Sequence, residues 1–96
     1  MLMNYSKLPS HMQEGARDYV ENGVPGGDFL HYVFCNDLVH SFGKADNTNL
    51  RRMFDWASFL YNEAPMECWG SEEKVEAWVA GGGLQGLRTQ KEEVEG

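Results

Sequence analysis

Two adjacent arginines with a tryptophan one helical turn away are the residues best suited to chemistry. Arg51 and Arg52 are neighbouring cations in a chain with few of them, and the stem of Arg52 falls one turn from Trp56. A guanidinium beside an exposed indole suits a phosphate lying next to a stacked base. The competing reading sends Trp56 and Phe59 to the core or to a subunit contact, with Arg52 paired to Glu63 or Asp55. Trp69-Gly70-Ser71 opens a later helix, whose unpaired N–H groups could hold an anion. Glu72 and Glu73 directly behind would repel a phosphate, which favours Ser71 as a simple cap.

Two further pairs have the spacing of catalytic or metal-binding groups. His31 and Cys35 stand four apart on one helix face, as in half of a zinc site. Their neighbours Leu38, Val39 and Phe42 are apolar, and only Cys68 offers itself as a third ligand, so packing is the stronger account and no metal is expected. Asp37 and His40, three apart, form half of a triad. No Ser or Cys sits in an elbow and no oxyanion turn is evident, so hydrogen bonding between helices is expected in place of catalysis. Gly26-Gly27 and Gly81-Gly82-Gly83 neither follow a strand nor precede a Gly-Lys-Ser/Thr ending, and read as helix punctuation.

The elements that must position these groups are all helical. Ser10 and Gln13 have the spacing of a capping box, and Met12, Ala16, Tyr19 and Val20 follow at helical intervals up to Asn22-Gly23. Asp28 caps a second helix through Phe42, apolar nearly all round in its first half and therefore central or part of a subunit interface. A third helix covers about Thr48 to Ala64, capped by Asp46 or Asn47. Leu50, Met53, Phe54, Ala57, Leu60 and Tyr61 form its inward stripe, and Arg52, Trp56, Phe59 and Glu63 a mixed strip beside it. A short fourth helix starts after Ser71, turns Val75, Trp78 and Val79 inward, and stops at the glycines. The fold class is an all-α bundle of three main helices plus a short fourth and an extended tail. Residues 1–7 read as an N-terminal extension, 8–83 as the helical domain and 84–96 as an arm.

Charge and composition exclude several classes of function. Fifteen Asp and Glu against eight Lys and Arg leave a net charge of −7 over 96 residues. Wrapping DNA, gripping RNA or anchoring on an anionic membrane all require a cationic footprint. Neither an apolar leader at the start nor a run of the roughly 18 apolar residues that span a bilayer is present, so a soluble protein of its compartment of synthesis is expected. Cys35 and Cys68 are too few for a disulfide scaffold, and Cys35 reads as a buried thiol. A chain this short buries only about two-thirds of its unfolded surface, which favours a homo-oligomer. The carboxylates are spread over all the helices, without the dense block of a DNA mimic.

A resemblance is carried by Leu8-Pro9, Met12-Gln13-Glu14-Gly15, Phe29-Leu30, Asn36-Asp37-Leu38, Ala45-Asp46 and the run Phe59 to Pro65, followed by Trp69-Gly70-Ser71. Together these strings resemble a family of small accessory proteins encoded by bacteriophages and prophages, over about Leu8 to Trp78. The resemblance marks Asn36, Asp37, Asp46, Asn62 and Trp69 as positions of the shared pattern and implies no catalytic residue. It implies a phage accessory protein acting in the host cytoplasm against host defences. The first expectation is a non-catalytic homo-oligomer, without cofactor, that sequesters a host nucleotide signal with Arg51, Arg52, Trp56, Asn62 and Trp69. Two alternatives stand beside it. One is an acidic, stoichiometric inhibitor of a host defence protein, in the manner of an anti-CRISPR factor; the other is a structural or assembly protein of the particle.

Overall fold

Pro9 leads the chain into a 3-10 turn, Ser10–Met12, which runs on into helix α1, Gln13–Asn22. Ser10 therefore sits inside the first turn, and the expected capping box does not form. Gln13 Nε2 instead donates to the Leu8 carbonyl at 2.9 Å. This is a computed structural model, and it describes residues 3–95, with side chains through Thr89. The described chain is all helix and turn. Beyond α1 come α2 (Asp28–Phe34), α3 (Leu38–Lys44), α4 (Asn47–Arg51) and α5 (Met53–Asn62). A second 3-10 turn, Met66–Cys68, precedes α6 (Glu72–Gly81) and α7 (Gly83–Glu95). None of these helices is long and apolar enough to cross a membrane.

Three of the sequence expectations are corrected here. The second predicted helix is two, because Asn36 takes a left-handed φ of 63° and stops α2. Asp37 then caps α3, its Oδ1 accepting from the His40 N–H at 3.2 Å. The third predicted helix is also two, broken at Arg52, where φ −111° and ψ 17° leave the helical region. Asp46 caps its first half, accepting from the Asn49 N–H at 2.7 Å. Finally, residues 84–95 are not an extended arm: Gly82, at φ 80°, closes α6, and α7 begins at the next residue.

The inward stripe of α4 and α5 is shifted from the predicted one. Trp56, Phe59 and Leu60 are buried with Asn49, while Leu50, Phe54, Ala57 and Tyr61 face solvent. The indole decides the phase. Trp56 is the largest side chain on the segment, and its N–H donates to Asn49 Oδ1 at 3.1 Å, so the ring goes inside with its polar atom satisfied. Its ring meets Phe29 edge-on, with centroids 5.4 Å apart.

Two other aromatic residues tie α1 to the C-terminal half. The Trp78 indole N–H is shared between the Tyr19 and Val20 carbonyls at 3.0 and 3.1 Å, and the Tyr19 hydroxyl donates to the Cys68 carbonyl at 2.6 Å. Tyr5, in the segment read as an N-terminal extension, is buried against Phe59 and donates to Glu21 at 3.1 Å. The α6–α7 joint presses directly on the end of α1. A Cβ on Gly83 would stand 2.5 Å from the Gly23 nitrogen, and one on Gly23 would stand 2.8 Å from the Gly83 nitrogen. Both glycines also have positive φ, 67° and 68°, so the backbone contact needs glycine on each side. Gly83→Ala should therefore cost about 2–4 kcal/mol, from overpacking plus left-handed strain, read as a lower urea midpoint at unchanged slope.

Candidate functional site

Breaking the two predicted helices leaves an apolar face without cover. From α3, Leu38, Val39 and Phe42 face solvent; from α5, Phe54 and Tyr61 do, at 81% and 84% exposure. Such large aromatic rings seldom stay this exposed on a small domain unless something docks there. The face holds two adjoining hollows that share Asn36, Phe54, Ala57 and Leu60. One, of about 280 Å³, lies between α3 and α5, walled by Leu38, Phe42 and Met53, with Asp37 its only ionisable lining residue. The other, of about 450 Å³, continues past Tyr61 to Trp69 and has no Asp, Glu, His, Lys or Arg in its lining.

The residues singled out for ligand binding are only partly brought together. Asn62 and Trp69 line the second hollow with Tyr61 and Asn36. Trp69 is half-buried, and its indole N–H is enclosed without a hydrogen-bond partner among the described residues. Asn62 Nδ2 donates to Ser58 Oγ at 3.1 Å along α5. Arg51, Arg52 and Trp56 lie outside this hollow. Trp56 is 1% exposed with its indole N–H engaged by Asn49, so it contributes only to the floor of the first hollow and offers no open ring for stacking. Arg52 is held between the Asp55 carboxylate and the Lys7 carbonyl, which is the competing pairing weighed from the sequence. Arg51 is exposed and makes no ion pair among the described residues.

The other pairs have structural work to do. Asp37 holds the His40 ring at 2.8 Å, within α3 and not across helices, and the ring stacks on Tyr32 with centroids 4.9 Å apart. This pair closes the start of α3. The hydroxyl beside it, Ser41 Oγ, is committed to the Asp37 and Leu38 carbonyls at 2.7 and 2.9 Å. His31 Nε2 lies 3.6 Å from the Cys35 sulfur. Burial raises the Cys35 thiol pKa, and the carboxylates of Glu72, Asp37, Glu76 and Glu73 raise it further. Burial pushes the Cys68 thiol up to about 12, helped by Glu67. Both sulfurs therefore stay protonated near neutrality and lack the thiolate that nucleophilic chemistry requires. Among the described residues, no group of three or more His, Cys, Asp or Glu is placed to hold a metal ion.

Sequence reasoning missed Leu38, Val39, Phe42, Phe54 and Tyr61 as surface residues. The available signal was one of phase: Asn49 seven residues before Trp56 offers the indole an acceptor across two helical turns. Choosing that stripe as the inner one turns Phe54 and Tyr61 outward. No family model, curated protein or solved structure matches this chain. The comparisons thus add nothing to the geometry of the face.

Asn36 is the corner at which both hollows meet, and its backbone conformation fixes their shape. Asn36→Val places a β-branched residue at φ 63° and should cost about 1–2 kcal/mol in chemical denaturation. Asn36→Gly should stay within about 0.5 kcal/mol of the parent. Equal costs for the two would show that the amide side chain, not the backbone, holds the corner.

Proposed function

We propose that this protein is a non-catalytic binding module that docks the exposed face of α3 and α5 on an apolar, basic-rimmed surface of another protein. The observation that carries this reading is the exposure of Phe54 and Tyr61 beside Leu38 and Phe42, around two adjoining hollows. A contiguous apolar area with aromatic members has the composition of an interface centre. The net charge of −7 supports a partner whose rim is basic, because complementary rims speed encounter and suppress wrong partners. The resemblance of residues 8–78 to phage accessory proteins supports a host defence protein as the partner. In that setting the module would act stoichiometrically, by covering a surface the partner needs.

The test compares the parent with Phe54→Glu, a substitution at an exposed site that should leave the melting temperature nearly unchanged. Each is immobilised and challenged with host extract, and any retained protein is purified as a complex and its stoichiometry measured by sedimentation. The expected result is one defined partner at equal stoichiometry with the parent, with at least a hundredfold weaker binding to Phe54→Glu. Equal retention by both proteins, or no partner for either, sinks the proposal.

A second reading, sequestration of a nucleotide signal by a homo-oligomer, is favoured by the hollow that joins Asn62 and Trp69. Tyr61 offers a base a stacking surface, and the Asn36 and Asn62 amides can meet its polar edge. The hollow is lined by no cation, so phosphates would require Arg51 or a second copy of the chain. A panel of cyclic and adenosine-containing nucleotides should then raise the melting temperature, and Tyr61→Ala should abolish the rise. A flat response across the panel removes this reading and leaves the first untouched.

A further inference from the structure

On another side of the molecule, α2 and α6 part to leave a cleft of about 340 Å³, within the usual size range of small-molecule sites. Leu30 and Phe34 supply one wall and Val75 and Val79 the other. The aromatic floor is firm: the Tyr19 and Phe34 rings pack with centroids 4.2 Å apart, and the Tyr19 hydroxyl is already tied to Cys68. Pro25 and Gly26 close one end. A Cβ on Gly26 would stand 2.6 Å from Leu30 Cδ1, so this glycine lets the loop lie directly on α2. Besides the Tyr19 phenol, which is tied to Cys68, the ionisable residues of the lining are His31 and Glu76.

Glu76 is the only carboxylate in the cleft lining. Glu76 is exposed on α6, and Glu72 and Glu73 stand on the turn before it. All three carboxylates act on the Cys35 thiol, one turn along α2 from His31, which places their field over this side of the molecule. Lys74, the cation among them, reaches the Met66 carbonyl at 3.4 Å, away from the cleft lining. We propose that the α2–α6 cleft is a small-molecule site for an apolar, ring-bearing amine, whose hydrocarbon body lies between Leu30, Phe34, Val75 and Val79 and whose ammonium group meets Glu76 at the opening. The apolar walls supply most of the affinity and the carboxylate selects the charge. An anionic ligand of the same shape would lose the ion pair and meet Glu76 as a like charge. This site shares no lining residue with the α3–α5 face, so it stands apart from the docking role.

Three probes of one shape separate the contributions: naphthylmethylammonium, naphthylmethanol and naphthoate, each titrated by heteronuclear NMR into the full chain at low ionic strength. The expected result is saturable shifts at Leu30, Val75 and Val79, tightest for the ammonium, weaker for the alcohol and weakest for the carboxylate. Glu76→Gln should bring the ammonium down to the affinity of the alcohol, about a fivefold loss for a partly exposed ion pair, and leave the alcohol unchanged. Ala80→Trp, at an exposed lining position, should block all three with the melting temperature intact. The proposal is overturned if naphthoate binds as tightly as the ammonium, if Glu76→Gln changes nothing, if Ala80→Trp leaves binding unaltered, or if no probe saturates.

Discussion

At Asn36 the backbone turns left-handed, and the separation of core from binding surface depends on that turn. Leu30, Phe34, Leu38 and Phe42 are spaced four apart, so an unbroken helix would carry one apolar stripe through all of them. The φ of 63° at Asn36 ends the stripe after Phe34. Leu30 and Phe34 stay in the core, while Leu38 and Phe42 leave it. The turn costs on the order of 1 kcal/mol for a residue such as Asn, and the local hydrogen bonds offset it. Asn36 N–H reaches Val33 O at 3.0 Å, Asp37 N–H reaches Tyr32 O at 2.9 Å, and Gly70 N–H reaches Phe34 O at 2.9 Å. The last carbonyls of α2 are thereby satisfied, and Asp37 supplies the next helix with its cap. The Gly70 contact also fixes the 3-10 turn and Trp69 against α2, which sets the far wall of the second hollow.

The break at Arg52 does the same for the other side of the face. Burying Trp56 with Asn49 rotates α5 so that Phe54 and Tyr61 point to water. Leaving a ring of that size exposed forgoes roughly 1.5–3 kcal/mol of burial. A chain of 96 residues has little such surplus, because small domains bury a smaller fraction of their surface. The molecule manages it by making its remaining core unusually well tied: Trp78 to the end of α1, Tyr19 to Cys68, and the backbone of Gly23 against that of Gly83. Side-chain donors buried on backbone carbonyls and a glycine–glycine contact are rigid links that need no extra apolar residues. They allow Leu38, Val39, Phe42, Phe54 and Tyr61 to stay exposed.

The sequence was legible where local chemistry decides the structure and illegible where competition between distant groups does. The caps at Asp46 and Ser71, the glycine stop of α1, the Ala16-Tyr19-Val20 face and the all-helical class all follow from short-range rules. The break at Asn36 was hidden because Asn is an ordinary helix residue unless something rewards a left-handed turn, and that reward includes Gly70, distant in the chain. The phase of α5 was hidden because Leu50, Phe54 and Tyr61 form an equally regular apolar stripe; only the indole's need for an acceptor separates the two. Gly81-Gly82-Gly83 was read correctly as a stop but not as the start of α7, since the reason for a second glycine lies on α1. For the candidate site, the sequence grouped Asn62 and Trp69 with Arg51, Arg52 and Trp56; the fold sets the first two on one hollow and takes Trp56 into the core.

Charge placement decides which partners the two apolar surfaces can accept. Three cations of this acidic chain are engaged at home. Arg17 lies 4.0 Å from Glu21 and over the Tyr5 ring, Lys44 lies 3.9 Å from Asp28, and Arg52 is locked by Asp55 and the Lys7 carbonyl. The carboxylates of α6 and Asp18 make no ion pair among the described residues. Exposed pairs of this kind add little stability, but each one removes a positive charge from the outward field. What a ligand meets is therefore an apolar surface in a negative surround. That combination disfavours phosphate-rich polymers, whose binding needs several cations at once. It favours occupants that are apolar in the middle and positive at the edge, and both the α3–α5 face and the α2–α6 cleft have that shape. The two differ in scale, since one is open across two helices and the other is closed to about 340 Å³. A protein surface fits the first and a single small molecule the second.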